Sequence, residues 1–177
     1  SQRLIRLVED IIRLSRLEES DFSGQMQPVD LAGLVRATAE RFVPIAQKSG
    51  IQIQVETVPC TLEGIPSILE EIIYNLCDNA VKYNRENGTV RVSLQRREGQ
   101  ILLAVQDTGI GIPADHQERI FERFYRVDKS HSKEVGGTGL GLSIVKHGVA
   151  CHGGKIRLES EPGRGTLIEI QFADPSG

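Results

Sequence analysis

Apolar residues return every three or four positions at the start of the chain, where Leu4, Leu7, Ile11 and Leu14 follow the spacing of a coiled-coil seam. Ile5, Val8 and Ile12 widen that surface beyond what a solitary helix keeps in water, so the helix over 1–20 expects a partner. The stretch 19–28 is polar around Gly24 and marks a boundary, separating a helical piece at 1–22 from a domain at 28–175. Asp30 suits the cap of a helix running to about Lys48, with Pro44 imposing a kink or an early end. Ile51, Ile53 and Val55 alternate as a strand after Gly50. A long helix over 66–83 opens on Pro66, where a missing N–H costs nothing. Asn87-Gly88 signals a turn before an alternating strand at 89–95, and a second turn at 97–100 leads into the apolar strand 101–106. A glycine-bearing stretch with a short helix near 115–123 follows. The helix 140–151 closes on Gly153-Gly154, and strands 155–160 and 166–172 form a hairpin. The sum is an α/β (α+β) two-layer sandwich, a mixed five-stranded sheet covered by about three helices.

Composition changes this picture little. A net charge of −3 over 177 residues gives no basic face for a phosphate backbone, so nucleic acid is not expected as a partner. Neither a signal peptide nor an apolar run near ~18 residues is present, which reads as a soluble piece and leaves room for a membrane segment elsewhere in a longer parent. Cys60, Cys77 and Cys151 are far apart and odd in number, which points to a reducing compartment and packing roles.

Three segments carry chemistry. On the helix 66–83, Glu71, Asn75, Asn79 and Lys82 share one narrow stripe, while Leu69, Ile73, Leu76 and Ala80 share the face that packs on the sheet. Two asparagines one turn apart are poor helix formers. They are either a solvated face or a carboxamide ligand for a hydrated Mg2+ ion, with Lys82 aimed at phosphate. The run DTGIGIP at 107–113 follows an apolar strand; its glycines form a turn or a close approach to a ligand, and Asp107 can accept from an amino group. The run GGTGLG at 136–141 opens a helix whose free N–H groups suit an anion, without the lysine of a Walker loop.

Taken in this order, the three segments resemble the boxes of the catalytic domain of bacterial sensor histidine kinases, closest to the phosphate-sensing and cell-wall-sensing types. EIIYNLCDNAVKY at 71–83 is similar to the Asn box, 107–113 to the first Gly box and 137–141 to the second. IFERFYRVD at 120–128 is similar to the Phe box, which sibling ATPases lack. The likeness covers 28–173, including CHGG at 151–154 and the GxGT at 163–166, while LSRLEE at 14–19 resembles the end of the family's second dimerisation helix.

The resemblance implies an ATP- and ADP-binding site using Mg2+, with the γ-phosphoryl group passed to a histidine on the parent's own dimerisation domain. It implies Asn79 as the metal ligand, Asn75 and Lys82 near the phosphates, and Tyr83 beside the adenine. Asp107 would accept from the adenine amino group, with Thr166 supporting it through water and Arg126 reaching either the γ-phosphate or an acid on the dimerisation helices. Gly109, Gly111, Ile112, Gly137, Thr138, Gly139, Leu140, Gly141 and Leu142 would line the nucleotide, and Phe121 and Phe124 would anchor a mobile lid near 127–138. It further implies a homodimeric parent on the cytoplasmic side of a cell membrane, with a response regulator downstream. Two departures stand out. Ile65 replaces the acidic residue expected before Pro66, which puts that helix's capping in doubt. All four histidines, His116, His131, His147 and His152, lie beyond the Asn box and read as structural or solvated, so the acceptor is expected upstream. An ATPase of the gyrase and MutL kind would need a Glu base where Asn75 stands, and a non-catalytic nucleotide-binding module would have eroded boxes.

Overall fold

The computed structural model describes residues 2–19, 21–127 and 138–176. Helix α1 (Gln2–Glu19) precedes strand β1 (Gln27–Asp30), α2 (Leu31–Glu40), α3 (Val43–Lys48), β2 (Gln52–Thr57) and β3 (Thr61–Gly64). The long helix α4 (Pro66–Lys82) then leads to β4 (Thr89–Arg97), β5 (Gln100–Asp107), α5 (Gly141–Cys151), β6 (Lys155–Glu161) and β7 (Gly165–Ala173). The main sheet has the order β2-β4-β5-β7-β6, with β2 parallel to β4 and every other pair antiparallel. Helices cover one face. Ile101, Leu103 and Val105 of β5 and Ile168, Ile170 and Phe172 of β7 are buried there, with Leu69, Ile73 and Leu76 of α4 and Ile144, Val145 and Val149 of α5. Each such side chain contributes about 1.5–3 kcal/mol by leaving water.

Several local choices follow from single residues. The Asp30 carboxylate accepts from the Gly33 N–H at 3.1 Å and starts α2. The helix expected over 30–48 breaks at Arg41 and Phe42, and Pro44 sits in the first turn of α3, where it displaces no intrahelical bond. Glu98 and Gly99 both take positive φ (53° and 76°), as the tight β4–β5 hairpin requires. The sequence expectations need one addition and one correction. The mixed five-stranded sheet is as expected, but a second, two-stranded sheet joins β1 to β3 and brings the described residues to seven strands. The segment 115–123 is not a helix: a short 3-10 turn at Ala114–His116 gives way to a chain of turns bonded three residues apart. Ile120 is the one buried side chain there, which leaves no apolar stripe to hold a helix.

Helix α1 finds half of its partner. Leu14 and Leu17 are buried where α1 meets α5, but Leu4, Ile5, Val8, Ile11 and Ile12 stay exposed. Among the described residues no helix is long and apolar enough to cross a membrane.

Candidate functional site

At one end of the sheet the alternation that fills the core changes character. Val105, Ile168 and Leu158 lie side by side across β5, β7 and β6, and the next row on the same face is Asp107, Thr166 and Ser160. A polar row in an apolar column needs partners, and part of the answer is internal. Asp107 Oδ1 accepts from the Gly109 N–H at 2.9 Å and the Thr166 N–H at 3.2 Å. No described group bonds its other oxygen, Oδ2, and Asp107 lines the cavity. Burial pushes this carboxyl up to about 6, and the two N–H groups only partly oppose the rise.

That cavity measures about 930 Å³, within the range of sites that enclose a small molecule. Its long wall is α4, which presents Glu71, Asn75, Asn79 and Lys82 as the stripe expected from their spacing. Lys82 Nζ pairs with Asp78 at 2.8 Å, one turn back on the same helix. The Asn75 amide donates to the Glu71 carbonyl at 2.8 Å, and a Cβ added at Gly141 would lie 3.0 Å from its Oδ1. The space beside Asn75 is therefore kept open by Gly141, at the first residue of α5. Asn79 lines the same wall, its side chain with no hydrogen-bond partner among the described residues.

Opposite α4, the start of α5 has no side-chain cap, so its first N–H groups are available to an anion. Thr138, Gly139, Gly141 and Leu142 line the cavity there, and Tyr125, Arg126 and Val127 close the adjacent side. The Arg126 guanidinium is lowered from its ordinary value chiefly by burial, with Arg3 as a like charge acting the same way. Phe121 and Phe124 hold this region through backbone rather than rings. The Phe124 N–H donates to the Gly139 carbonyl at 2.8 Å, the Phe121 carbonyl accepts from Ser143 Oγ at 2.9 Å, and the Phe124 ring itself is exposed.

Most residues named from the sequence converge here, including Tyr83, Gly111, Ile112 and Thr166. Two do not face the cavity. Leu140 is fully buried in the core. Gly109 serves behind Asp107, in a spot where an added Cβ would be 2.2 Å from the Tyr83 carbonyl. Gly136, Gly137, His131 and nearly all of the expected lid at 127–138 lie outside the described residues.

His152 explains how α4 begins without an acidic cap. Its Nε2 accepts from the Ile65 N–H at 3.1 Å while Nδ1 faces the Gly148 carbonyl at 2.7 Å, which fixes a neutral tautomer. Burial holds its pKa below the ordinary histidine value.

Sequence reasoning missed the mouth of the cavity. Arg6, Asp10 and Arg13 of α1 line it; Asp10 accepts from the Thr138 hydroxyl at 2.7 Å, and Arg13 pairs with Glu71 at 3.2 Å. It also missed Ser160, whose only sequence signal is a hydroxyl in the core-facing phase of β6.

The histidine kinase-, DNA gyrase B- and HSP90-like ATPase profile matches residues 64–176. The sensor-like histidine kinase SenX3 of Mycolicibacterium smegmatis is 40% identical over 99% of this chain and 47% of its own length. The solved mycobacterial sensor histidine kinase MprB superposes with a TM-score of 0.73 at 32% identity, covering 84% of this chain and 97% of that one. Full-length ShkA, solved in complex with AMPPNP, gives 0.83 at 33% identity, over 97% of this chain and 36% of that one. The chain thus spans less than half the length of SenX3.

Proposed function

The chain belongs to the histidine kinase-, DNA gyrase B- and HSP90-like ATPase family, in its sensor histidine kinase branch, and on that premise we propose that residues 28–175 bind ATP and donate its γ-phosphoryl group to a histidine on the parent protein's dimerisation domain. The observation that carries the reading is the Asp107 carboxylate, which lines the same cavity as Asn79 and Lys82 with one oxygen held by two backbone N–H groups and the other bonded by no described group. A carboxylate so held fits an exocyclic amino group, and a solved relative binds AMPPNP.

In this reading the base sits between Asp107, Thr166 and Tyr83. The phosphates run toward the open N-terminus of α5, Lys82 and Arg126. Asn79 offers one carboxamide oxygen, which fits a hydrated Mg2+ carried in with the phosphates, an ion that keeps most of its waters. The metal would neutralise phosphate charge. The chain's own contribution is to hold the nucleotide in line and to present cations where charge builds. In the transfer the γ-phosphorus bond to the β-γ bridging oxygen breaks, a bond to an imidazole nitrogen forms, and ADP leaves.

Asn75 disfavours the hydrolytic reading. Its amide is engaged with the Glu71 carbonyl, and no carboxamide can take a proton from water. Segment 1–22 reads as the end of a dimerisation helix, its exposed apolar half meeting the rest of that domain in a homodimeric parent. A response regulator would receive the phosphoryl group, and the parent would carry this domain on the cytoplasmic face of a membrane. The test mixes this chain, Mg-ATP and a separate fragment bearing the acceptor helix. Acid-labile, base-stable label on that fragment is expected. Brisk release of free phosphate with no labelled fragment would overturn the kinase reading in favour of an ATPase.

A further inference from the structure

Ser160 lies behind the cavity rather than in it, and its hydroxyl has three neighbours. The Ile112 N–H donates to Ser160 Oγ at 2.8 Å, the Gly165 carbonyl lies 2.9 Å away, and Thr166 Oγ1 lies 2.8 Å away. A carbonyl oxygen has no proton to give, so the contact with Gly165 is bonding only if Ser160 supplies its single proton there. The contact between the two hydroxyls then needs a proton from Thr166. Ser160 Oγ is left donating once and accepting twice, which exhausts its valence. Thr166 has spent its one proton away from the cavity that it lines.

From this we infer that Ser160 is a positioning residue for base selectivity: by fixing the Thr166 proton, it makes the end of the cavity accept only hydrogen-bond donors, and so selects a 6-amino purine over a 6-oxo purine. The inference rests on the reading of Asp107 and Thr166 as the base end of a nucleotide site. Alone, a threonine hydroxyl rotates to donate to a carbonyl as readily as it accepts from an amino group. Tied to Ser160, it offers only lone pairs, beside a carboxylate oxygen that also only accepts. A 6-oxo group placed there meets two acceptors and loses a hydrogen bond that it had in water. The register makes this arrangement possible: Asp107, Thr166 and Ser160 are direct cross-strand partners, so the proton order passes along one row of the sheet. The same serine couples the first Gly box to the β6–β7 hairpin through Ile112, and Gln117 braces that junction by donating to the Ile112 and Ser160 carbonyls at 2.9 and 3.0 Å.

The test measures Mg-ATP and Mg-ITP affinity by calorimetry on the whole chain, since inosine exchanges the 6-amino group for a 6-oxo group. Ser160→Ala frees the Thr166 proton, and the ATP:ITP affinity ratio is expected to fall roughly 3- to 10-fold, the worth of one neutral hydrogen bond. Ser160→Thr keeps the hydroxyl and should keep the ratio. Thr166→Val should lower the ratio by itself, and adding Ser160→Ala to it should lower it no further, because Ser160 acts through Thr166. Melting curves establish that each variant is folded; if Ser160→Ala is not, Ser160→Cys takes its place with the same expected direction. Equal losses of ATP and ITP affinity in the serine variant, or an unchanged ratio in Thr166→Val, would overturn the inference while leaving the ATP site standing. Failure of the unmutated chain to bind ATP at all would instead sink the functional reading beneath it.

Discussion

Asp107→Asn should make the protein more stable and a worse nucleotide binder at the same time. A carboxyl held at about 6 instead of 3.8 has its ionised form disfavoured by ~3 kcal/mol in the folded protein, at about 1.4 kcal/mol per pH unit. The folded value lies above the unfolded one, so the stability from this group is present below pH 3.8 and is lost as the pH rises through about 6. Asparagine never ionises and escapes that loss, although its carbonyl accepts the Gly109 and Thr166 N–H groups more weakly than a carboxylate does. A net gain of about 1–2 kcal/mol at pH 7.5 is expected, roughly 3–6 °C in Tm for a domain of this size. Binding should move the other way. The introduced carboxamide must keep its oxygen on the two backbone donors, and its NH2 then meets the amino group of the base. Loss of a charge-assisted acceptor costs about 1.5–3 kcal/mol, or roughly ten- to hundredfold in affinity. The assay is a pair of melting series from pH 4 to 8, with ATP calorimetry at each pH. Comparing the two proteins on one nucleotide cancels the titration of the nucleotide itself. The stability gap should open between about pH 4 and 6 and then level off, while the affinity gap grows over the pH range in which Asp107 ionises. A stability gap independent of pH, or equal ATP affinity for both proteins, would refute the reasoning.

Other consequences can be checked one residue at a time. Asn79→Ala should remove most of the magnesium dependence of ATP binding, read as affinities with and without chelator; an unchanged dependence would take Asn79 out of the metal's reach. Arg126→Ala should slow phosphoryl transfer to an acceptor fragment more than it weakens ATP binding, because its charge matters most at the migrating group. His152 has a folded pKa below its unfolded value, so stability is greatest above pH 6.5 and declines as the pH falls below it, by at most about 1.4 kcal/mol per pH unit. His152→Gln, which can still accept from Ile65, should flatten that part of the melting series, and an unaltered slope would assign it to other groups. Gly111→Ala should cost several kcal/mol and ATP affinity together, since φ is +73° there and the added Cβ would sit 2.0 Å from the Glu161 carbonyl.

Local chemistry decided much of this molecule before any packing. The Asp30 cap, the Pro66 start of α4 and the positive φ of Gly99 in the β4–β5 turn are written in residues whose conformational preferences hold in any context. The stripe of Glu71, Asn75, Asn79 and Lys82 follows from helical geometry alone, and the cavity duly lies along it. The polar row was only half legible. Asp107 announces itself after an apolar strand, whereas Ser160 looks like any hydroxyl until strand register puts it beside Thr166. Register is set by the pairing of distant segments, which no local pattern encodes. For the same reason the β1–β3 pair went unforeseen, since four-residue strands separated by two helices and another strand carry too short an alternation to be seen. His152 capping Ile65 from 87 positions away is likewise a tertiary fact. So is the place of α1. Its apolar seam foretold a partner, but that Leu14 and Leu17 would meet α5, bringing Asp10 and Arg13 to the mouth of the cavity, depends on a surface that exists only once the two-layer core has closed.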